Sequence, residues 1–323
     1  AKNHGMMMLL DWSGSMSDCI FKTVQQTIQL VYFCSKVNIP FELYFFSSEM
    51  GKDETEYKLS KAFNYKSGDM AIDAIKLVNV ASHKLKKNKL EESLMYLYHL
   101  GMYYEHHYGW RHNWNGEHRP DSVSPPREYY LGSTPLNEAL VILLKLVPLF
   151  KNKYKIEKMN LITLTDGGGN HGNTDTMQYD ETNKMLLPHM SNGSTDVLIY
   201  KKKNHSTKDK RDYGYRSGSM TGALLNLLRT YHGITTIGFY LIKRIRRWDS
   251  DIYFRPYDIK DYSKREEIYQ KNRSAFSKDK VVAVPQKGYD DYFIVNAKDM
   301  KVQNTDLNSI NTDMKAGKIK QLF

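Results

Sequence analysis

The chain has 323 residues, 41% hydrophobic and 26% charged, which is a composition typical of a folded globular protein. No stretch approaches the ~20 continuous apolar residues of a membrane span, because Lys145 and Pro148 interrupt the longest apolar run. The formal net charge of +11 favours acidic partners, but the 36 acidic residues dilute it. Charge alone therefore does not establish nucleic-acid binding.

The first part of the chain predicts a β-α-β unit. Residues 5–10 form a continuous apolar run that ends at Asp11, which is typical of a strand buried on both faces. Ser17 and Asp18 are predicted to cap the following helix, whose apolar positions recur every three or four residues: Ile20, Val24, Ile28 and Val31. Residues 41–46 predict the second strand, so the connection implies a right-handed crossover and a parallel sheet.

Two stretches are predicted to be insertions, residues 49–130 and residues 167–220. Within the first, residues 75–81 indicate an edge strand and residues 89–107 a helix, followed by a long polar loop rich in His and Trp. The second contains a strand candidate at residues 197–201 and polar, basic loop sequence. Neither stretch shows a repeat or a low-complexity tract.

Regular alternation of strands and helices returns after Leu131. Thr134-Pro135 predicts the N-cap and first position of a buried helix, and the strand at residues 159–164 ends at Thr165-Asp166-Gly167. Later elements are expected at residues 221–231 (helix), 234–242 (strand), 262–276 (helix) and 292–295 (strand). The predicted fold is an α/β, doubly wound, mostly parallel sheet of about six strands flanked by helices. We assign residues 1–304 to this domain and residues 305–323 to a C-terminal tail.

The sequence Asp11-Trp12-Ser13-Gly14-Ser15 carries the main chemical signal. One carboxylate and two hydroxyls on a tight loop form a hard-oxygen set of the kind that Mg²⁺ prefers, and Gly14 permits the turn. Thr134 and Asp166 can add a hydroxyl and a carboxylate at the same edge, because ligands of such sheets bind beyond the carboxyl ends of the strands. The pattern Asp-x-Ser-x-Ser, taken alone, arises by chance in roughly one chain of this length in ten to twenty. Its combination with buried strands and a Thr-Pro helix start is much rarer.

These residues resemble the metal-ion-dependent adhesion site of von Willebrand factor A-type domains, in which Thr134 and Asp166 match the second and third motifs. The sequences of residues 11–16, 132–136 and 164–167 resemble the CobT-type subunit of cobalt chelatase more closely. They are closest to the CobT-like proteins of T4-like bacteriophages, where a run like residues 2–6 precedes the motif. The resemblance spans most of residues 1–242.

The resemblance implies a bound Mg²⁺, or Mn²⁺ or Ca²⁺, and a non-catalytic role. In such systems the domain works with an AAA+ ATPase of the MoxR or CobS type, whose carboxylate becomes the last metal ligand. We therefore expect an adaptor that couples an ATPase to a target. The chain lacks a Gly-x-x-x-x-Gly-Lys-Ser/Thr loop and a nucleophile elbow, so it is not expected to hydrolyse ATP or act as an enzyme by itself.

Two alternatives remain at this stage. One is a subunit of a true metallochelatase complex that inserts cobalt. The other is a nucleic-acid-binding or virion-associated protein, with basic loops at residues 201–203, 208–211 and 243–248 as contacts. Cys19 and Cys34 are predicted on one helix roughly 22 Å apart, too far for a disulfide. Reduced thiols and the lack of a signal-peptide pattern favour the cytoplasm, of the host cell if the chain is phage-encoded.

Overall fold

The computed structural model describes residues 3–48, 75–108, 124–167, 175–180, 185–190, 219–242, 259 and 261–297. In that part of the chain the strands are β1 His4–Asp11, β2 Phe41–Ser48, β3 Ile75–Ser82, β4 Lys158–Thr165, β5 Asp175–Asp180, β6 Met185–Met190, β7 Ile234–Ile242, β8 Val281–Ala283 and β9 Asp291–Asn296. The α-helices are α1 Ile20–Lys36, α2 Lys87–Tyr108, α3 Leu136–Tyr154, α4 Ser219–His232 and α5 Tyr262–Asp279. Short 3-10 turns occupy Gly14–Asp18 and Arg127–Tyr129.

The main sheet has seven strands in the order β3-β2-β1-β4-β7-β9-β8. The five central strands are parallel, whereas β3 and β8 pair antiparallel at the two edges. Strands β5 and β6 form a separate antiparallel pair. The predicted α/β class, with a mostly parallel sheet covered by helices on both faces, is confirmed. The expected count of about six strands omitted β8, which is only three residues long.

Helices cover both faces of the sheet because the central strands are apolar on both sides. In β1, Met6, Met8 and Leu10 pack on the face covered by α1 and α2, whereas Met7 and Leu9 pack on the face covered by α3 and α4. Helix α5 packs through Tyr269 and Phe276 on residues of β7 and β9. Such double burial explains why these strands are continuous apolar runs rather than alternating ones.

The stretch predicted as the first insertion contains elements that belong to the shared core. Strand β3 extends the main sheet, and α2 packs against α1. The α2 residues Leu90, Leu94, Leu97, Leu100 and Tyr104 are buried in the same cluster as α1 and β2. Residues 75–108 are therefore integral to the described fold. The strand proposed at residues 197–201, the basic loops, the His- and Trp-rich loop beyond residue 108 and the tail lie outside the described residues.

Two helix caps differ from the sequence-based expectation. Helix α1 begins after Cys19, with no side-chain cap bond, because the 3-10 turn at Gly14–Asp18 takes up the residues expected to cap it. The N-cap of α3 is Pro135 rather than Thr134, again without a side-chain bond. Both cysteines are buried free thiols, as expected. Within the described residues, no helix has the length and apolar character needed to cross a bilayer.

Neighbouring residues of α2 test whether this helix belongs to the core. Leu97 is fully buried, whereas Met95 is 59% exposed. We expect Leu97→Ala to lower the free energy of unfolding by about 2–5 kcal/mol, because it leaves a cavity. Met95→Ala on the same helix should change it by less than about 0.5 kcal/mol. Urea denaturation of both variants measures this, and equal effects would contradict the placement of α2.

Candidate metal centre

Two acidic residues meet at the carboxyl end of the sheet. Asp11 is the last residue of β1, and Asp166 directly follows the last residue of β4. These strands are parallel neighbours, with Leu10 opposite Leu164. The topology therefore brings together two carboxyl groups that lie 155 residues apart in the sequence.

Hydroxyl groups connect the loop after β1 to the end of β4. The hydroxyl oxygens of Ser13 and Ser15 are 3.0 Å apart, and the Ser15 hydroxyl donates to Asp166 Oδ1 at 2.8 Å. The Thr165 hydroxyl donates to Asp11 Oδ2 at 2.7 Å. The structure thus gathers four of the five predicted ligands, namely Asp11, Ser13, Ser15 and Asp166, into one oxygen-rich cluster.

Asp11 places a fully buried carboxyl group in this cluster. Its Oδ1 atom has no hydrogen-bond partner among the described residues. Burial and, to a smaller degree, the charge of Asp166 together raise the pKa of Asp11 to about 7, against the opposing effect of hydrogen bonds from Thr165 and Ser13. An unpartnered buried carboxylate is expensive, so this position favours a proton or a cation.

Asp166 shares the same environment to a smaller degree. Burial is the main cause that raises the pKa of Asp166 to about 6; the hydrogen bond from Ser15 opposes this rise, and the charge of Asp18 adds to it. Ser15 is exposed while Ser13 and Asp11 are buried. The cluster therefore opens to solvent on the side of Ser15 and Asp166, and a ligand from outside would approach from there.

The segment that carries Thr134 is held at the same rim by backbone pairing. Ser13 and Gly132 form an isolated parallel bridge, in which the Gly14 amide donates to the Gly132 carbonyl at 2.8 Å. The Gly132 amide donates to the Trp12 carbonyl at 3.3 Å. Thr134 follows two residues later and is buried. The packing of this segment, residues 127–134, against the loop after β1 therefore determines how far Thr134 lies from the carboxylates.

Trp12 anchors both segments, a role that the sequence analysis missed. Its indole N–H donates to the Tyr129 carbonyl at 2.7 Å, and its own carbonyl accepts from the Ser47 hydroxyl at 2.7 Å. The ring is fully buried and stacks on Phe45 with centroids 5.0 Å apart. Tyr104 donates to the same Tyr129 carbonyl at 2.8 Å. A tryptophan inside a polar loop was the available signal for such an anchor.

The donor set fits a hard divalent cation. No group of three or more His, Cys, Asp or Glu side chains occurs among the described residues, so a site rich in nitrogen or sulfur is not indicated there. The cluster instead combines two carboxylates with hydroxyls, and oxygen-only donors suit Mg²⁺ and related ions. A cation near the unpartnered Asp11 Oδ1 would offset the charge that burial leaves uncompensated.

Comparisons with known proteins leave the family open. No family model matches the chain, and no curated protein gives a significant match. Solved structures that match include the pilus adhesin SpaC of Lactobacillus rhamnosus GG, with 14% identity, a TM-score of 0.38, and coverage of 75% of this chain and 25% of that one. Proximal thread matrix protein 1 of mussel byssus gives 11% identity, a TM-score of 0.35 and coverages of 77% and 39%.

The pilus adhesin RrgA of Streptococcus pneumoniae gives 12% identity and a TM-score of 0.34, with coverages of 74% and 39%. The chain thus spans between a quarter and two fifths of the length of these proteins. Similarity at this level carries no information about what the chain binds.

Gly132 tests the fit between the two segments. A Cβ added there would lie 2.3 Å from the Ser48 carbonyl oxygen, whereas one added at Gly167 meets nothing within 4 Å. We expect Gly132→Ala to lower the free energy of unfolding by about 1–3 kcal/mol, because backbone must shift. Gly167→Ala is the matched control and should cost under about 1 kcal/mol. Similar stabilities for the two variants would contradict the close approach.

Asp11 makes the stability of the metal-free protein depend on pH. Its pKa of about 7 in the folded protein lies above the usual 3.8, so the folded state holds the proton more tightly than the unfolded state. The stability that this provides is fully present below about pH 4 and is lost as the pH rises through about 7. Asp11→Asn removes this dependence, because an amide stays neutral.

At pH 8 in EDTA, Asp11→Asn should raise the free energy of unfolding by about 1–3 kcal/mol. This is less than the ~4 kcal/mol that a shift of about three pKa units represents, because the amide also needs partners. The gain should vanish below about pH 4. Asp291→Asn, at an exposed site, is the control and should change little. Urea titrations at both pH values provide the measurement, and a loss of stability in Asp11→Asn at pH 8 would contradict the raised pKa of Asp11.

Proposed function

We propose that the chain is a metal-dependent protein-binding module of the von Willebrand A type. Its site comprises Asp11, Ser13, Ser15, Thr134 and Asp166, and its ion is Mg²⁺, or Mn²⁺ or Ca²⁺ in its place. The observation that supports this most directly is the buried Asp11 Oδ1, which has no hydrogen-bond partner in the described part of the chain. It lies beside a chain of hydroxyls that ends at a second carboxylate, an arrangement with no apparent purpose in a purely structural rim.

The residues of the site have separable tasks in this proposal. Asp11 supplies negative charge from a position that cannot move, at the end of a strand buried on both faces. Ser13, Ser15 and Thr134 supply neutral oxygens, and Asp166 lies on the open side. When bound, the ion offers an electrophilic position to a carboxylate from outside. The exposure of Ser15 gives such a carboxylate room to approach.

The partner proposed is an AAA+ ATPase of the MoxR or CobS type, as the resemblance to CobT-like phage proteins implies. The chain would act as its non-catalytic adaptor in the cytoplasm, with residues 1–304 as the binding domain. A partner Asp or Glu would reach the open side of the cluster. Affinity would then depend on the ion and on the partner carboxylate together, rather than on either alone.

Ion binding should stabilise the protein through these residues. We expect Mg²⁺ at ten times its Kd to add about 1.4 kcal/mol to the free energy of unfolding relative to EDTA, because it binds only the folded state. Asp11→Asn and Thr134→Val should abolish this increment. Ser17→Ala, which removes a hydroxyl from the neighbouring 3-10 turn, is the control and should retain it. Thermal or urea unfolding in each buffer provides the measurement.

The same variants extend the test to the partner. The immobilised chain should retain a MoxR- or CobS-type ATPase in Mg²⁺ and release it in EDTA, and Thr134→Val should release it in both. Replacing one Asp or Glu of the ATPase by Ala should have the same effect. If Mg²⁺ stabilises the chain but the ATPase binds equally well in EDTA, the ion site stands and the partner mechanism fails. If Mg²⁺ has no effect, the whole proposal fails.

A further inference from the structure

The end of the sheet opposite the candidate metal centre carries a concentration of lysines. Strands β1, β2 and β4 begin there and β3 ends there, while α1 and α3 end and α2 begins at the same end. The basal lysine surface, as we call it, consists of eight exposed lysines: Lys36, Lys84, Lys86, Lys87, Lys89, Lys153, Lys155 and Lys158.

Few of these charges are neutralised within the described residues. Lys87 pairs with Glu91 at 4.0 Å and Lys89 with Glu92 at 2.7 Å, so six of the eight lysines have no carboxylate within salt-bridge distance in the described part of the chain. Glu42 lies at the same end but is buried, and it accepts hydrogen bonds from Asn79 and Ser82. The exposed Glu157 lies in the same loop, between Lys155 and Lys158, so the surface presents an excess of positive over negative charge to solvent.

Helix dipoles account for only part of this arrangement. Lys36 and Lys153 lie in the last turns of α1 and α3, where a positive charge offsets the partial negative charge of the helix end. Helix α2 shows the reverse. Lys87 and Lys89 occupy its first turn, which contains no acidic residue, and Lys84 and Lys86 precede it. Positive charge at a helix N-terminus is unfavourable, so the lysines there require another explanation.

The two loops that carry these lysines are packed together. Tyr154 at the end of α3 contacts the ring of His83 after β3, with centroids 5.8 Å apart, and Lys153 Nζ lies 5.5 Å from the centre of the Tyr154 ring. The side chains of Lys84 and Lys153 come within hydrogen-bonding reach of each other. Folding thus holds two lysine side chains side by side, and the charge of the buried Glu42 acts on both of them. Phosphate oxygens at the surface would add negative charge on the solvent side, where the described residues supply no salt-bridge partner for either lysine.

We propose that the basal lysine surface binds the phosphate backbone of nucleic acid without sequence preference. The lysines span four adjacent strands, about 14 Å at ~4.8 Å per strand spacing. That length matches about four phosphate-to-phosphate steps of ~3.4 Å along one DNA strand, and therefore about five successive phosphates. Lysine contacts phosphate as a point charge and reads no base edges, which fits backbone binding.

An acidic protein surface fits these residues less well. Protein interfaces are depleted in lysine and are anchored by buried aromatic residues or arginine. Two large apolar side chains are exposed near these lysines, Leu85 at 38% and Leu149 at 65%, the latter one helical turn before Lys153. Both are aliphatic rather than aromatic, and the eight basic residues include no arginine. The surface also differs from the basic loops at residues 201–211 and 243–248. It lies one strand length, about 26 Å for eight residues, from the candidate metal centre, so both could be occupied at once.

The test measures binding of the full chain to a fluorescently labelled 20-nucleotide DNA of random sequence, single- and double-stranded, in EDTA. We expect the triple variant Lys84→Gln, Lys153→Gln, Lys155→Gln to raise Kd at least tenfold near 50 mM salt. The slope of log K against log salt should become less steep by about 2–3, because about 0.9 is lost per phosphate contact. EDTA keeps the result independent of the proposed metal-dependent function.

The matched control removes the same charge from the opposite edge of the sheet, by Lys264→Gln, Lys271→Gln and Lys278→Gln in α5, all at exposed positions. It should change Kd less than threefold. A second basal set, Lys36→Gln, Lys86→Gln and Lys158→Gln, should reproduce the loss without disturbing the contact between Lys84 and Lys153. Basal variants that bind like the control would overturn the proposal. Binding of polyglutamate by the unchanged chain without binding of DNA would overturn it too.

Discussion

The candidate metal centre depends on one constraint, the burial of the Asp11 carboxyl group at the end of β1. Asp11 ends a strand whose preceding residues, Met7 to Leu10, are fully buried on both faces of the sheet, so its backbone cannot move towards water. Asp166 ends the adjacent strand and repels it. Thr165 satisfies one oxygen of Asp11, and the other has no partner among the described residues. A fold stable enough to hold this geometry must offset its cost with a proton or a cation.

The segment at residues 127–134 depends on this rim and completes it. It has no strand of its own to follow, apart from the single bridge at Ser13 and Gly132. Its position is fixed by side chains from other elements, with Trp12 and Tyr104 both donating to the Tyr129 carbonyl. A loop held by two separate elements, the loop after β1 and helix α2, loses its freedom during folding rather than during binding, and preorganisation of that kind favours tight ligation.

The elements most fully specified by local sequence were the easiest to predict. The strand predicted at residues 234–242 has the same bounds as β7, because this segment is rich in β-branched and aromatic residues and lies between a helix C-terminus and a polar stretch. Three-residue β8 carries too little pattern to be seen. The caps predicted at Ser17 and Thr134 were wrong. Ser17 lies inside the 3-10 turn that follows β1, and the N-cap of α3 is Pro135 rather than Thr134.

The same distinction applies to the candidate site. Asp11, Ser13, Ser15 and Asp166 could be chosen from sequence because each follows a recognisable strand, and the structure brings them together. The anchoring by Trp12 could not be derived, since it depends on a carbonyl 117 residues away. Ligands are carried by local motifs, whereas the contacts that position them are long-range and emerge only from the packed chain.

Parallel strands give the molecule two chemically opposite ends. All five central strands point the same way, so their carboxyl ends collect Asp11 and Asp166, while their amino ends collect the ends of α1 and α3 with their lysines. An antiparallel sheet would have mixed the two sets. The separation keeps negative and positive groups about one strand length apart, farther than the ~8 Å over which charges interact at physiological salt. Each end can therefore acquire its own ligand without weakening the other.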